Sequence, residues 1–490
     1  MLLFLWACNF TVPSLGTCNK TEECQSVFGS GYSCTNEGYC AFFTPNDRCL
    51  NTIPEDLYAN WPEKNDYYII GTMFNHSTDQ ANLVAASLAL EEAQDLPLEG
   101  NQDFVMIQCD YGSNGESEET FSVNDVVREI SAHLSEDVGA KVVIGPAGSG
   151  ASTIAFNETD DLLIISPSAT SETLSTIDGD TKTDASPGRF WRTVGSDKTQ
   201  ADVLANLVEM QGRSNVGLIY ENSVYGSDFI KILEDKLTAT TTITTHRYTY
   251  EEGDITRLGS QIQAAFAAGH DGFVVISAEI VDLTFFLNVI VDNPESFPDA
   301  QLFFADGAAD SGFLQATVAL KDLHIQILGT RPPLLSGSLF NNFDALFSLK
   351  AEEMGYSGLN AKENVYAAYT YDATWIGLYG YAWAHFQDSP LHYEGLAIGL
   401  RRLSDPSATD QIGIEASSWN TIQAKFLEGT PVNIRGTSGN LDFNPVTEEL
   451  EASVEVWKIG LSYDCFSLLY TFSSPTMYTT NENHENCPIQ

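Results

Sequence analysis

Five stretches of this 490-residue chain place small, hydroxylic or acidic residues directly after an apolar, mostly β-branched run. Pro146-Ala147-Gly148-Ser149-Gly150 follows KVVIG, and Pro167-Ser168-Ala169-Thr170-Ser171 follows LLIIS. Glu221-Asn222-Ser223-Val224-Tyr225-Gly226 follows VGLIY, Ala278-Glu279 follows GFVVIS, and Asp306-Gly307-Ala308 follows LFFA. Small residues let a ligand approach the backbone closely. Ser and Thr hydroxyls both donate and accept. A helix beginning just after such a loop adds free N–H groups and a positive dipole end, which suits a carboxylate. Tyr225 has the size to wall a cleft, and Asp306 has the charge to face an ammonium. The same residue types also cap helices and form turns. The convergence of five such tips favours binding over capping alone.

The cysteines form a second constellation. Cys18, Cys24, Cys34 and Cys40 are separated by five, nine and five residues, with Gly and Ser between them. A segment so poor in apolar residues needs covalent staples. Zinc would call for Cys-x-x-Cys spacing or interleaved His, and neither is present. Disulfides are therefore expected, and no metal site. Connectivity is left open by the sequence; Cys49 with Cys109 and Cys465 with Cys487 are two candidate pairings. Cys8 closes a short apolar run, Leu-Phe-Leu-Trp-Ala-Cys, that resembles the end of a bacterial lipoprotein signal. That resemblance implies a lipid on Cys8 and an exported protein, periplasmic or at the cell surface, touching the membrane only through its anchor. The run lacks a basic start and is shorter than an ordinary signal core.

Catalytic signatures are missing. The chain has no His-Glu-x-x-His, no Gly-x-Ser-x-Gly, no Walker loop and no Gly-x-Gly-x-x-Gly, and its eight His are scattered. No catalytic residue and no cofactor are expected. Charge narrows the partners. Sixty-seven Asp and Glu against 23 Lys and Arg give a net charge of −44, which argues against nucleic acid.

The elements that must position these loops can be read from hydrophobic pattern. Near-continuous apolar runs at 67–73, 103–109, 141–145, 162–166, 216–220, 272–277 and 302–305 suit strands buried on both faces of a parallel sheet. Amphipathic stretches at 79–92, 123–134, 198–210, 227–237 and 254–268 alternate with them, which argues for a doubly wound α/β architecture. The alternation comes in two blocks, and a single sheet of so many strands would be exceptionally wide. Two parallel-sheet lobes with a cleft follow, preceded by a small disulfide-rich segment.

The runs VVIGPAGSG, LLIISPSATSETL, RFWRTVGSDKTQADVLANLV, VGLIYENSVYGSDFIKIL and GTSGNLDFNP, in that order, resemble the type I periplasmic binding proteins. The similarity is to the leucine/isoleucine/valine-binding branch and its receptor ligand-binding relatives, over about Tyr67 to Ile459. It implies two lobes joined by three crossovers that close on a small ligand such as an amino acid. It further implies that Ala147, Gly148, Ser149, Ser168, Ala169 and Thr170 hold the ligand's carboxylate and amino group. Tyr225 would then cover the ligand from the other lobe, and Asp306 would pair with the ammonium. Ala278-Glu279 stands where such members often carry an aromatic, which implies a pocket of different shape. An ABC importer permease or a sensor is the implied partner; a ligand-free interaction or scaffold protein on the same fold is the alternative.

The resulting division is a signal remnant at 1–8, a Cys-rich spacer at 9–65, and lobe 1 at 66–194. Lobe 2 follows at 195–330, then mainly lobe 1 helices at 331–430. The last strands of lobe 2 fall at 431–460, and a tail at 461–490.

Overall fold

A computed structural model describes residues 17–61, 67–96, 98, 103–113, 122–239, 242–294, 301–323, 325–333, 335–408, 411–460, 463, 465–474 and 477–480. Cys8 and Cys487 lie outside them. Each lobe is an α/β sandwich around its own sheet.

The lobe 1 sheet has six strands. In spatial order they are Asn51–Ile53, Phe104–Asp110, Tyr68–Phe74, Val142–Ile144, Leu163–Ser166 and Phe190–Arg192, all parallel except the first. Every residue of Tyr68–Phe74 and Phe104–Asp110 is buried, as expected of strands covered on both faces. The covering helix Tyr366–Phe386 is buried on nearly all sides, so its sequence has no polar face.

The lobe 2 sheet has eight strands. Thr244–Tyr250, Asn215–Glu221, Gly272–Ile276, Gln301–Phe304 and Ile327–Arg331 run parallel. Val454–Ile459, Phe466–Ser474 and Met477–Thr480 extend the sheet antiparallel. In both lobes the second strand of the parallel set sits outside the first, and the third sits on the first strand's other side. The order reverses there, and such a reversal opens a crevice at the strands' carboxyl ends.

The chain crosses between lobes three times: after Phe190–Arg192, after Ile327–Arg331, and before Val454–Ile459. Ion pairs bolt these crossings. Arg192 meets Glu449 at 2.8 Å, and Arg331 meets Glu455 at 3.2 Å.

Three boundaries differ from the reading of the sequence. Lobe 1 begins before residue 66: Asn51–Ile53 pairs with Phe104–Asp110, and Phe43, Cys49, Leu57 and Trp61 are buried in the lobe 1 core. Those few apolar residues are too sparse to announce a strand or helix, but they suffice to dock one. Asn433–Gly436 and Gly439–Asn440 join Gln411–Gly413 in a small separate sheet, and Val432, Ile434, Leu441 and Phe443 pack into lobe 1, so only Val454–Ile459 of that block belongs to lobe 2. The tail carries two strands of the lobe 2 sheet; their alternation with polar residues hid them.

Disulfides join Cys18 to Cys34, Cys24 to Cys40, and Cys49 to Cys109. Cys465 is also disulfide-bonded. The first two staple a segment whose buried apolar cluster is little more than the cysteines themselves. It leans on lobe 1 through Gly31 N–H to the Val138 carbonyl at 3.2 Å and Trp61 Nε1 to the Ser30 carbonyl at 2.9 Å. Among the described residues no helix is long and apolar enough to cross a membrane.

Candidate functional site

The two crevices face one another and enclose a cavity of about 320 Å³. Both reversal points feed it. From lobe 1 come Asn75, Thr78 and Asp79 after the first strand, and Ala147, Gly148 and Ser149 after the third. From lobe 2 come Tyr225 after the first strand, and Ala278 and Glu279 after the third. Ser168, Thr170 and Asp306 enter from the neighbouring strands, and Tyr366 from the start of the long central helix.

Two glycines set the loop paths. Gly145 has φ +95°, and a Cβ there would meet the Met73 carbonyl oxygen at 2.5 Å, so the chain turns into Ala147–Ser149 only with glycine. A Cβ on Gly307 would lie 2.2 Å from the Ser277 carbonyl oxygen, so glycine lets the Asp306 loop pack against the Ala278 loop.

On the lobe 1 wall, Gly148 and Ser149 line the cavity where the helix Ser149–Glu158 begins, and the first N–H groups of a helix have no intrahelical partner. Ser149 is buried, and its Oγ accepts from Ser171 N–H at 3.2 Å, leaving its proton for another acceptor. Ser168 Oγ donates to the Ala147 carbonyl at 3.0 Å and so ties the two loops together. Ala169 does not line the cavity; it is 1% exposed and packs in the lobe 1 core. Thr170 lies beside the buried carboxyl of Asp197.

The lobe 2 wall is organised around Asp306. Its Oδ1 accepts from Tyr225 OH at 2.8 Å and Gln200 Nε2 at 3.0 Å, and its Oδ2 accepts from Tyr366 OH. These donors solvate the carboxylate without neutralising it. Asp197, wholly buried nearby, is held well above the usual carboxylate range by burial first and by the charge of Asp306 second. Tyr366 belongs to the lobe 1 helix, so Asp306 is shared between lobes.

A second inter-lobe contact lies beside the cavity. Asp228, on the lobe 2 helix Val224–Ala239, accepts from Thr173 N–H at 3.2 Å and from the hydroxyls of Ser171 and Thr173 in lobe 1.

The strand-tip rule reached Ala147, Gly148, Ser149, Ser168, Thr170, Tyr225 and Asp306, which the fold brings to one cavity. It passed over Asp79 and Thr78, although Asn75-His76-Ser77-Thr78-Asp79 follows a strand in the same way. Gln200, Asp228 and Tyr366 sit on helices, where no local pattern marks them.

Comparison with known proteins fits this geometry. No curated protein matches the chain. Among solved structures, the isoleucine-bound branched-chain amino acid binding protein LivJ of Streptococcus pneumoniae is similar at 16% identity. Its TM-score is 0.56, over 82% of this chain and 97% of that one. The leucine-binding protein LivK of Thermotoga maritima aligns with TM-score 0.59 at 13% identity, over 82% and 98%. A benzoate-bound solute-binding protein of an ABC transporter from R. palustris aligns with TM-score 0.61 at 13% identity, over 86% and 99%. The family model described as the receptor family ligand binding region matches residues 82–462, most of the chain. With two lobes, three crossings and an inter-lobe cavity in place, the protein belongs to that family of ligand-binding regions.

Proposed function

We propose that this chain is an exported solute-binding protein that captures a small ligand, an amino acid or a close relative, between its lobes. It would present that ligand to an ABC importer permease or a sensor. The observation that carries this reading is the pairing of opposite poles across one cavity. A helix N-terminus with the Ser149 hydroxyl offers donors to a carboxylate, and Asp306 offers a charged acceptor to an ammonium. The disulfides support export, because such bridges persist in oxidising compartments. A lipid on Cys8 would tether the protein there. The role is binding rather than catalysis.

A thermal-shift panel of L-amino acids tests the reading. A ligand that binds only the folded state at 100 times its Kd stabilises it by about 2.7 kcal/mol, so at least one amino acid raises the melting temperature. A panel in which none does favours the scaffold alternative.

The inter-lobe contact at Asp228 gives a further prediction. Binding and closure are one equilibrium, so weakening a contact made only in the closed form lowers affinity without touching the ligand. Asp228→Ala removes hydrogen bonds to a charged acceptor on the surface. It should weaken the best panel ligand about five- to fifteenfold, roughly 1–1.5 kcal/mol. Titration calorimetry reads the change. Unchanged affinity means that closure does not use this contact.

A further inference from the structure

We infer that the ligand carries a second cationic group on its side chain, held between Asp79 of lobe 1 and Glu279 of lobe 2, so that the solute is a basic amino acid of the lysine or ornithine type. The inference rests on the amino-acid reading above and adds what that reading leaves open.

The cavity lining contains five carboxylates, those of Asp79, Glu279, Asp306, Asp310 and Glu363, and no Lys, Arg or His. The ammonium of an ordinary amino acid answers one of them. Its own carboxylate adds back a negative charge. Asp310 caps the helix Ser311–Thr317 and Glu363 is exposed, so a neutral side chain leaves Asp79 and Glu279 uncompensated as the cleft closes and water leaves, and closure strengthens their mutual repulsion.

Asp79 and Glu279 stand at the two reversal points, one in each lobe. Asp79 is partly satisfied: its Oδ2 accepts from Asn75 N–H at 2.9 Å and Tyr111 OH at 3.3 Å. Among the described residues no donor reaches the Glu279 carboxylate. The charged and titratable groups around Glu279 are Glu252, Glu221, Asp282, Asp79 and Tyr111; those around Asp79 are Asp110, Tyr111 and Glu279. None is a cation. Burial first, then these neighbours, push Glu279 up to about 7; burial first, then Asp110, pushes Asp79 up to about 6. An ammonium reaching between them would supply the missing charge and draw the lobes together. Asp306 cannot serve both ends, because three of its lone-pair sites already accept hydrogen bonds.

Titration calorimetry with L-lysine, L-ornithine, L-leucine and benzoate, at pH 8 and pH 5.5, tests this. Lysine or ornithine should bind at least tenfold more tightly than leucine at pH 8. That margin should shrink at pH 5.5, where Glu279 is protonated and Asp79 largely so. The double variant Asp79→Asn, Glu279→Gln should lose at least tenfold in affinity for lysine while holding or gaining affinity for leucine. Asp306→Asn, by contrast, should weaken both. Leucine binding as tightly as lysine overturns the second cationic group but leaves the amino-acid reading intact. Benzoate as the preferred probe overturns both; no binding by any of the four overturns the second cationic group and leaves the amino-acid reading to the thermal-shift panel. A double variant that binds lysine as the parent does overturns the assignment of Asp79 and Glu279.

Discussion

Asp306→Asn should weaken amino-acid binding by about 10- to 150-fold while leaving the protein folded. A hydrogen bond to a charged group contributes roughly 1.5–3 kcal/mol, and each 1.4 kcal/mol is about tenfold in Kd. Asparagine keeps the shape and one acceptor, so Tyr225 or Tyr366 retains a partner. It loses the charge, and its NH₂ now faces a donor. The ligand's ammonium consequently loses its counter-charge and meets a crowd of donors. Asp197 does not take over, because burial, the larger cause of its raised titration, persists after Asp306 is neutralised. Capping is the competing role, since Asp306 opens a short helical turn at 306–308. Capping alone predicts little change in stability, because asparagine caps as well as aspartate, and unchanged affinity. Calorimetric titration beside thermal melting separates the two, and an unaltered Kd would remove Asp306 from the site.

The parts of the fold legible in the sequence are those where burial is complete. Tyr68–Phe74, Phe104–Asp110 and Gly272–Ile276 read as strands because neither face meets water. Edge strands carry no such run. Thr244–Tyr250 reads TTHRYTY and exposes most of its residues, so it shows no apolar run although Thr and Tyr suit a strand. Asn51–Ile53 and Met477–Thr480 owe their strand form to the neighbour that accepts them, which the sequence does not display. The same division holds in the cavity. Ser149, Tyr225 and Asp306 follow strands directly, so a rule about strand ends finds them. Gln200 and Tyr366 lie 106 and 60 residues from Asp306 and meet it only through tertiary packing. Glu279 was visible as the residue that breaks the resemblance, but its neighbour across the cleft, Asp79, emerged only once the lobes faced each other.

Arg192→Ala should be the most damaging single change outside the cavity. Arg192 is 1% exposed and sits where the chain first leaves lobe 1. Its guanidinium donates to the carbonyls of Ala169 at 3.2 Å and Ser171 at 2.9 Å, to Ser175 Oγ at 2.5 Å, and to Glu449 at 2.9 Å. One side chain thus fixes the loop bearing Ser168 and Thr170 and bolts the first crossing to the third. Alanine strands two buried carbonyls and leaves Glu449 without its ion pair. Each stranded buried carbonyl costs about 1–3 kcal/mol, and the partly exposed Glu449 adds less than a fully buried partner would. Each lobe has a core of its own, so the loss should appear as an early melting transition of lobe 1 rather than a uniform shift. If alanine prevents folding, Arg192→Lys decides the matter. Lysine keeps the charge but not the fork, so it can reach Glu449 or the loop carbonyls, not both. It should fold with a lowered lobe 1 transition and bind amino acids more weakly, because the loop facing the ligand's carboxylate is no longer held. A lysine variant with the parent's affinity and melting profile would mean that the fork positions nothing. The loop would then owe its shape to its other bonds, among them Ser168 to Ala147 and Ser171 to Ser149, and to the packing of Ala169.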